Sequence, residues 1–332
     1  MFTEAILREK PAFIKLFMGL PAAEFWQLVE KAQAYEATAN AQRLARPNRQ
    51  RALGGGRKAD LPLVIRLALV LTYLRVHLPQ AGVAELYAEA TQSDVSRQLR
   101  ILSPLLLNLL PTPVVWEAID ETHPLTAQDL LELTEFRDGR VIIDATEQQI
   151  YRSEVNELRK AAYSGKKKQF TFKTQLVTDG AHHIVAISIT LPGAVADKKL
   201  ADLVASVARL PDDVQGAADK GYQGLPQQVD TRRVVDPTTG EITTTPRLHF
   251  ETPHKKPKGG ELSQAQATSN QTLSAWRIRI EHCIGWAKNW RILATRFRAA
   301  PALYSSIMQV VCGLVNWQTA RWQALKSLPA LA

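Results

Sequence analysis

The sequence predicts an all-α N-terminal domain carrying a helix-turn-helix, followed by an α/β core of three antiparallel strands plus two parallel strands flanked by helices. Three observations predict it. Apolar residues recur at helical spacing up to about residue 112, and the pattern changes to that of strands from 138 onward. Three β-rich runs then come in succession, before a helix and a further short strand. The chain closes with two long helical stretches. Its 332 residues suffice for two domains. The expected division is N-terminal helices and a basic linker over 1–58, the helix-turn-helix over 59–112, and the α/β core over 138–325 with an irregular insert at about 226–270.

Residues 1–45 read as about two amphipathic helices, of which "AEFWQLVEKAQAY" is the clearest, and the glycine-rich basic linker "LGGGRK" follows. Asp60 is the expected N-cap of a long helix to about His77, with Pro62 near its first turn. A shorter helix fits "AGVAELYAEA". A third starts at Ser93 or Asp94 and runs through "DVSRQLRILSPLLLNLL". Leu99, Leu102 and Leu106 make its buried stripe, leaving Gln92, Ser96, Arg97, Gln98 and Arg100 exposed. Two helices about a tight polar turn are the helix-turn-helix pattern, which a generic helical bundle shares. Arg97, Gln98 and Arg100 are the expected DNA contacts, because Arg and Gln read base edges in the major groove.

In the core, "GRVIIDATEQQIYR", "QFTFKTQLVTD" and "HHIVAISITLPG" are the three β-rich runs. The helix "DKKLADLVASVARL" and a short strand ending at Asp219 come next. Within the insert, "DPTTGEITTTPRLHFETPHKKPKGG" fits a strand or hairpin. A long helix is expected from about Leu262 or Leu273 to Leu293, then a last one over "ALYSSIMQVVCGLVNWQTARWQAL". This order of elements is that of an RNase H-like α/β core. No internal repeat is present.

Charge points the same way. Lysine and arginine number 41 against 32 acids, a net +9, and the excess is clustered. Residues 40–58 carry six basic side chains and no acid, and residues 159–173 carry five lysines and one arginine. Such blocks suit a polyanion such as DNA, although solvated surface lysines give the same count. The two cysteines, Cys283 and Cys312, sit in apolar helical patterns, which excludes zinc spacing and a disulfide framework. The start "MFTEAILREK" lacks the character of a signal peptide. The most apolar stretch, "LPLVIRLALVLTYLRVHL", is broken by Arg66, Arg75 and His77 and reads as a core helix. The expectation is a cytoplasmic, nucleoid-associated protein with no membrane partner.

Two acids fall after short apolar strands, Asp144 after "VII" and Asp219 after "GAA". If both strands are central and parallel, their tips lie side by side. The helix "SAWRIRIEHCIGWAKNWRIL" offers a third acid, Glu281. At about 100° per residue, Ser274, Arg277 and Lys288 fall within about 60° of one another on the stripe that holds Glu281. Trp276, Ile280, Cys283, Ile284 and Ala287 lie on the adjoining side, expected to pack on the sheet. Three converging carboxylates call for neutralisation, which a pair of Mg²⁺ ions provides, and such a pair supports phosphodiester chemistry. Taken singly, Asp144 and Asp219 also read as turn acids, and Glu281 as a partner for Arg277 one turn away. Asp197, after "PGAVA", competes as a helix cap. Glu241, Glu251 and Glu261 lie in the insert.

The segments "IDATEQQIYR", "YSGKKKQFTFKTQ", "LPGAVADKKL", "ADKGYQG" and "SAWRIRIEHCIGWAKNWRIL" resemble those of DDE transposases of bacterial insertion sequences, in the insertion-sequence-5-like group related to Harbinger transposases. The resemblance covers about residues 60–320. Arg277, Glu281 and Lys288 match the Tyr-x2-Arg-x3-Glu-x6-Lys signature of that group, with Ser274 at its Tyr position. Ala196 replaces the His of the "PGxxHD" motif. The resemblance implies that Asp144, Asp219 and Glu281 form a catalytic triad holding two Mg²⁺ ions, with Mn²⁺ able to substitute. It implies that Lys166, Lys167, Lys168 and Lys173 hold DNA backbone, and that Arg277 and Lys288 contact phosphate or orient the substrate. The implied partners are double-stranded DNA, as terminal inverted repeats and target, and further copies of the chain in a homodimer or higher oligomer on DNA. Two other readings fit the same residues: a silent DNA-binding remnant acting as a repressor, which an intact triad disfavours, and an RNase H-like endonuclease without strand transfer, which a helix-turn-helix disfavours.

Overall fold

The computed structural model describes residues 1–45, 61–235 and 237–326. The chain divides into two compact units, one of residues 1–111, 288–295 and 299–314, the other of residues 112–287, 296–298 and 315 onward.

In the first unit, α1 (Glu4–Glu9) leads to the single turn α2 (Pro11–Phe13) and a π-helical stretch, Ile14–Met18. Gly19 ends this stretch at φ +75°, where a Cβ would also stand 2.8 Å from Arg75. Next come α3 (Ala22–Leu44), α4 (Leu63–Val76), α5 (Gln80–Ala84) and α6 (Gln92–Leu109). α4 is the expected core helix, buried from Val64 to Leu74 except at Arg66, whose guanidinium pairs with Glu36 at 3.0 Å. Asp60, the expected cap, and most of the basic stretch 40–58 lie outside the described residues; Pro62 holds the N-cap position of α4.

The segment "AGVAELYAEA" does not form one helix. α5 stops at Ala84 because the chain beyond it is taken up by the N-terminus: Phe2 N–H donates to Leu86 O at 2.6 Å, and the Tyr87 hydroxyl bonds Thr72 at 2.6 Å. Residues 85–91 therefore separate α5 from α6 in place of a tight turn. α6 opens with a capping box between Thr91 and Asp94. Its buried side takes in Gln98 as well as Val95, Leu99, Leu102 and Leu106.

The second unit is built on one mixed sheet. Its strands are β1 (Val114–Trp116), β2 (Arg140–Gln149), β3 (Tyr163–Ser164), β4 (Gln169–Asp179), β5 (Ile184–Ser188), β6 (Leu191–Pro192), β7 (Gln215–Ala218) and β10 (His249–Glu251). The main order is β1-β5-β4-β2-β7-β10, with β3 and β6 pairing on β4. β2, β4 and β5 are antiparallel neighbours, while β7 runs parallel to β2, and β10 to β7. The hairpin β8 (Thr231–Val235) and β9 (Ile242–Pro246) stands apart as its own two-stranded sheet. β1 is a three-residue strand that the sequence pattern did not announce, and β10 lies within the segment expected to hold a strand or hairpin.

Helices flank the sheet: α7 (Asn156–Ala162), α8 (Asp197–Leu203), α9 (Gln264–Lys288) and α10 (Tyr304–Lys326). This architecture is compatible with an RNase H-like core. Strand alternation sorts the two faces. Val141, Ile143, Val177 and Ala218 join Leu200, Ala201 and Val204 of α8 in one apolar cluster. Arg140, Ile142 and Asp144 point to the other face, where the Arg140 guanidinium lies 5.6 Å from the Trp276 ring of α9. α9 buries Leu273, Ile280, Cys283 and Ala287. α8 is shorter than expected because the buried guanidinium of Arg209 takes the Val204 carbonyl at 2.9 Å, the acceptor that a further helical turn needs. No single helix among the described residues is long and apolar enough to cross a membrane.

Candidate active site

β2 and β7 pair in parallel from Arg140 opposite Gln215 to Ile143 opposite Ala218. The next residue on each is an acid, so Asp144 and Asp219 stand side by side on the face that α9 covers. β7 stops at Ala218, whereas β2 continues to Gln149 against β4. Asp144 is therefore a mid-strand residue at the point where its neighbour ends, and not a strand terminus as the sequence suggested.

Backbone amides fix both acids. Asp144 Oδ1 accepts from Ala145 N–H at 2.8 Å, and Asp219 Oδ1 accepts from Gly221 N–H at 2.7 Å, capping the 3₁₀ turn Lys220–Tyr222. Burial, and then the charge of Asp219, push the Asp144 carboxyl up to about 6; Asp197 adds to the rise, while Ala145 N–H and Arg277 oppose it. Tyr222 is fully buried, and its hydroxyl has no hydrogen-bond partner among the described residues. Its ionisation is driven far up by that burial and by Asp144, Asp197 and Asp219, with Arg277 opposing.

Arg277 is half-buried, its charge reaches Asp144, and its Nε is a buried donor without a partner among the described residues. Glu281 stands one turn further along α9 and is exposed, as is Ser274. It is not among the leading influences on Asp144 or Tyr222. Lys288 is the last residue of α9 and belongs to the first unit. Among the described residues, no three His, Cys, Asp or Glu side chains come together as a metal site. What the sheet does assemble is a pair of adjacent hard oxygen donors whose charges oppose each other. That donor chemistry fits a divalent cation.

Two expected DNA contacts are not on the surface. Lys173 is 6% exposed: its ammonium donates to Asp197 Oδ1 at 2.7 Å and Val195 O at 2.6 Å, with Glu147 3.7 Å away. The pairing of Lys173 with Glu147 across β2 and β4 turns it inward, so it reaches no external phosphate. Gln98 is 7% exposed, because it sits three residues after Val95 and four before Leu102 on the buried stripe of α6. Arg97 and Arg100 of that helix are exposed, Arg97 pairing with Asp94 at 3.1 Å and Arg100 bonding Ser96 at 3.1 Å. Lys166, Lys167 and Lys168 are exposed in the turn between β3 and β4.

Asp197 does not cap α8. Ala196 holds the N-cap position, and the Asp197 side chain goes to Lys173 instead. Asp197 and Tyr222 thus lie within electrostatic reach of the acid pair, and Lys173 holds Asp197, in roles that sequence reasoning missed, although "LPGAVADKKL" had marked the segment.

Over 187 residues the chain is 30% identical to a protein of Microchaete diplosiphon described as "Probable transposase for insertion sequence element IS702". That match covers 55% of this chain and 59% of the relative. Residues 143–316, which run from the residue before the first acid of the pair into α10, match the DDE superfamily endonuclease family, whose members use divalent metal ions. With the acid pair inside that span, the chain belongs to the DDE superfamily of endonucleases.

Proposed function

We propose that the protein is an insertion-sequence transposase of the insertion-sequence-5-like group. It binds double-stranded DNA at the element's terminal inverted repeats, hydrolyses the phosphodiester there and joins the freed 3′-hydroxyl to target DNA. The observation that carries this reading is the register of β2 and β7, which sets Asp144 beside Asp219. Its family and the similarity to a described transposase support the same reading.

In this proposal Asp144 and Asp219, with Glu281 from α9, hold two Mg²⁺ ions, for which Mn²⁺ substitutes. Such ions, when bound, activate the attacking oxygen and stabilise the leaving one. The chain's own groups do the rest. The amides of Ala145 and Gly221 aim the two aspartates. Arg277 stands by Asp144 as a fixed positive charge that holds a phosphate oxygen. Lys288 contacts DNA phosphate. Lys166, Lys167 and Lys168 hold DNA backbone, which positions the duplex without reading it. The first unit supplies end recognition through α6, with Arg97 and Arg100 as its base-reading side chains. The core is RNase H-like, and the protein acts as a homodimer or higher oligomer on DNA.

The test is incubation of the full chain with Mg²⁺ or Mn²⁺ and a plasmid carrying the DNA that flanks its gene. Nicking at fixed ends followed by joined products is expected, with Asp144→Ala, Asp219→Ala and Glu281→Ala each inactive. Cutting without joined products would leave an endonuclease; binding without cutting would leave a silent repressor.

A further inference from the structure

β10 continues the parallel set that begins with β2 and β7. It pairs with β7 from His249 opposite Gln215 to Glu251 opposite Ala217, so Thr252 and Pro253 come level with the end of β7, where Asp219 stands. Neighbouring strands lie about 4.8 Å apart. Beside them is a recess of about 320 Å³, walled by Gln223 and Pro226 from the chain after Asp219, by Glu251 and His254 at the end of β10, and by Ser269 of α9. That volume falls within the range of about 300–1,000 Å³ found for small-molecule sites. Gln223 is four residues beyond Asp219, a length of chain that spans at most about 14 Å. The recess therefore opens within a short stretch of strand from a phosphate held at the acid pair.

The walls are fixed by bonds that leave recognition groups unused. The Gln223 amide donates to Thr252 Oγ1 at 2.9 Å and to Pro253 O at 2.8 Å, which occupies its two hydrogens and leaves Oε1 an acceptor without a partner among the described residues. From the other side, Asn270 of α9 accepts from His254 N–H at 2.7 Å and donates to His254 O at 3.1 Å. These last bonds hold the backbone of His254, and its side chain is exposed. Glu251 adds a carboxylate, one oxygen of which bonds His249 Nε2 at 2.7 Å. The rim is the basic run "HKKPK" over 254–258, in which Lys256 pairs with Glu261 while Lys255 and Lys258 are exposed, with no ion pair among the described residues. Acceptors on the walls, a flat ring beside them and ammonium groups at the mouth match the amino edge, the π face and the phosphate of one nucleotide. A base within a duplex has its faces stacked and its pairing edge engaged, so only a base that has left the helix can enter.

We propose that this recess binds one unpaired nucleotide of the DNA strand that passes the acid pair, with its base stacked on His254, its amino group on Gln223 Oε1 and its phosphate on Lys255. This rests on the reading of the acid pair as the place where the phosphodiester is cut. Every base has a π face, so stacking selects the unpaired state before any particular base. Gln223 adds a preference for bases that carry an amino group over thymine, which has none.

The alternative is a solvent-filled cleft that takes no ligand. Fluorescence anisotropy of the full-length protein in EDTA, with a short labelled single strand and with the same sequence as a duplex, separates the two. His254→Ala should weaken the single strand about fivefold or more, the worth of one base–aromatic stack, and leave the duplex unchanged. Lys255→Ala should lower the log–log salt slope for the single strand by about 0.7, which His254→Ala should not do. Ser269→Trp, which fills the recess from α9, should reproduce the loss seen with His254→Ala, and an all-cytosine strand should bind the wild type more tightly than an all-thymine one. If His254→Ala and Ser269→Trp both bind the single strand like the wild type, the recess is a bare cleft and the proposal is wrong, even where Lys255→Ala lowers the slope. His254→Ala alters only an exposed ring, so it decides the matter should Ser269→Trp fail to fold. With no metal present, the result does not depend on cutting. If the wild type binds neither strand nor duplex, the reading of the protein as a DNA enzyme has failed; if it cuts DNA and these variants bind like it, only the recess has.

Discussion

Replacing Asp144 by Asn should make the cation-free protein more stable at neutral pH, although it removes a candidate ligand. The folded-state carboxyl is raised from 3.8 to about 6, by burial and by Asp219 beside it. A raised carboxylate pKa costs stability once the unfolded chain ionises more readily than the folded one. Below pH 3.8 the two states bind the proton alike and the cost is absent; it grows as pH rises and is complete above about 6. Two units at about 1.4 kcal/mol each give a ceiling of about 3 kcal/mol at pH 7.5, falling to about 1 kcal/mol at pH 4.5. Asn keeps an oxygen to accept from Ala145 N–H, now at 2.8 Å, and carries no charge against Asp219. Urea denaturation in EDTA at both pH values should therefore show the variant more stable, with a gain about 2 kcal/mol larger at pH 7.5. Added Mg²⁺ should raise the wild type and leave the variant nearly unchanged. A variant less stable than the wild type at pH 7.5 in EDTA, or a gain equal at the two pH values, would refute the argument that the acid pair is held under electrostatic strain.

Other expectations concern separate parts of the chain. Changing Lys166, Lys167 and Lys168 together to Ala should weaken binding to any duplex and lower the log–log salt slope by up to about 3, read by fluorescence anisotropy across a salt series; an unchanged slope would make these lysines mere solvated charge. Arg97→Ala with Arg100→Ala should abolish preference for the element's ends in a competition gel shift while metal-dependent cutting of generic DNA persists, and retained preference would move recognition to the segment from Arg43 to Lys58. Glu281→Gln should bind the ends without cutting them, and normal cutting would remove Glu281 from the triad. Thr91→Ala should cost about 1 kcal/mol by removing one side of the capping box of α6, measured by chemical denaturation; no loss would mean that tertiary packing alone fixes the start of the helix.

Much of the core was legible because local pattern and tertiary environment agree. "VIID" and "GAA" are short, apolar and each followed by an acid, and parallel pairing of two such strands is enough to align Asp144 with Asp219. Helical geometry likewise anticipated the buried stripe of α9, since Ile280, Cys283 and Ala287 repeat at its period. What escaped lies where a contact distant in sequence decides. Lys173 reads as one more residue of a basic block, and only Glu147 across the strand and Asp197 from α8 turn it inward. Gln98 reads as polar and hence exposed, yet its place on the wheel puts it among leucines. The insert reads as a strand or hairpin, but nothing local assigns β10 to the main sheet, which it joins because Gly216 lets the Phe250 ring lie against β7. Helix ends failed for a related reason, as with α5, whose continuation is claimed by Phe2.

The pairing of Arg140 with Gln215 joins residues 75 positions apart, and parallel strands so separated cannot form until the intervening chain has been ordered. The acid pair is consequently a late product of folding. A partly made chain still on the ribosome carries its lysines, its N-terminal helices and Asp144, but no aligned carboxylates. The aligned pair arises only when β7 docks on the edge that β2 offers. Time, as well as geometry, governs when the two carboxylates come to stand together.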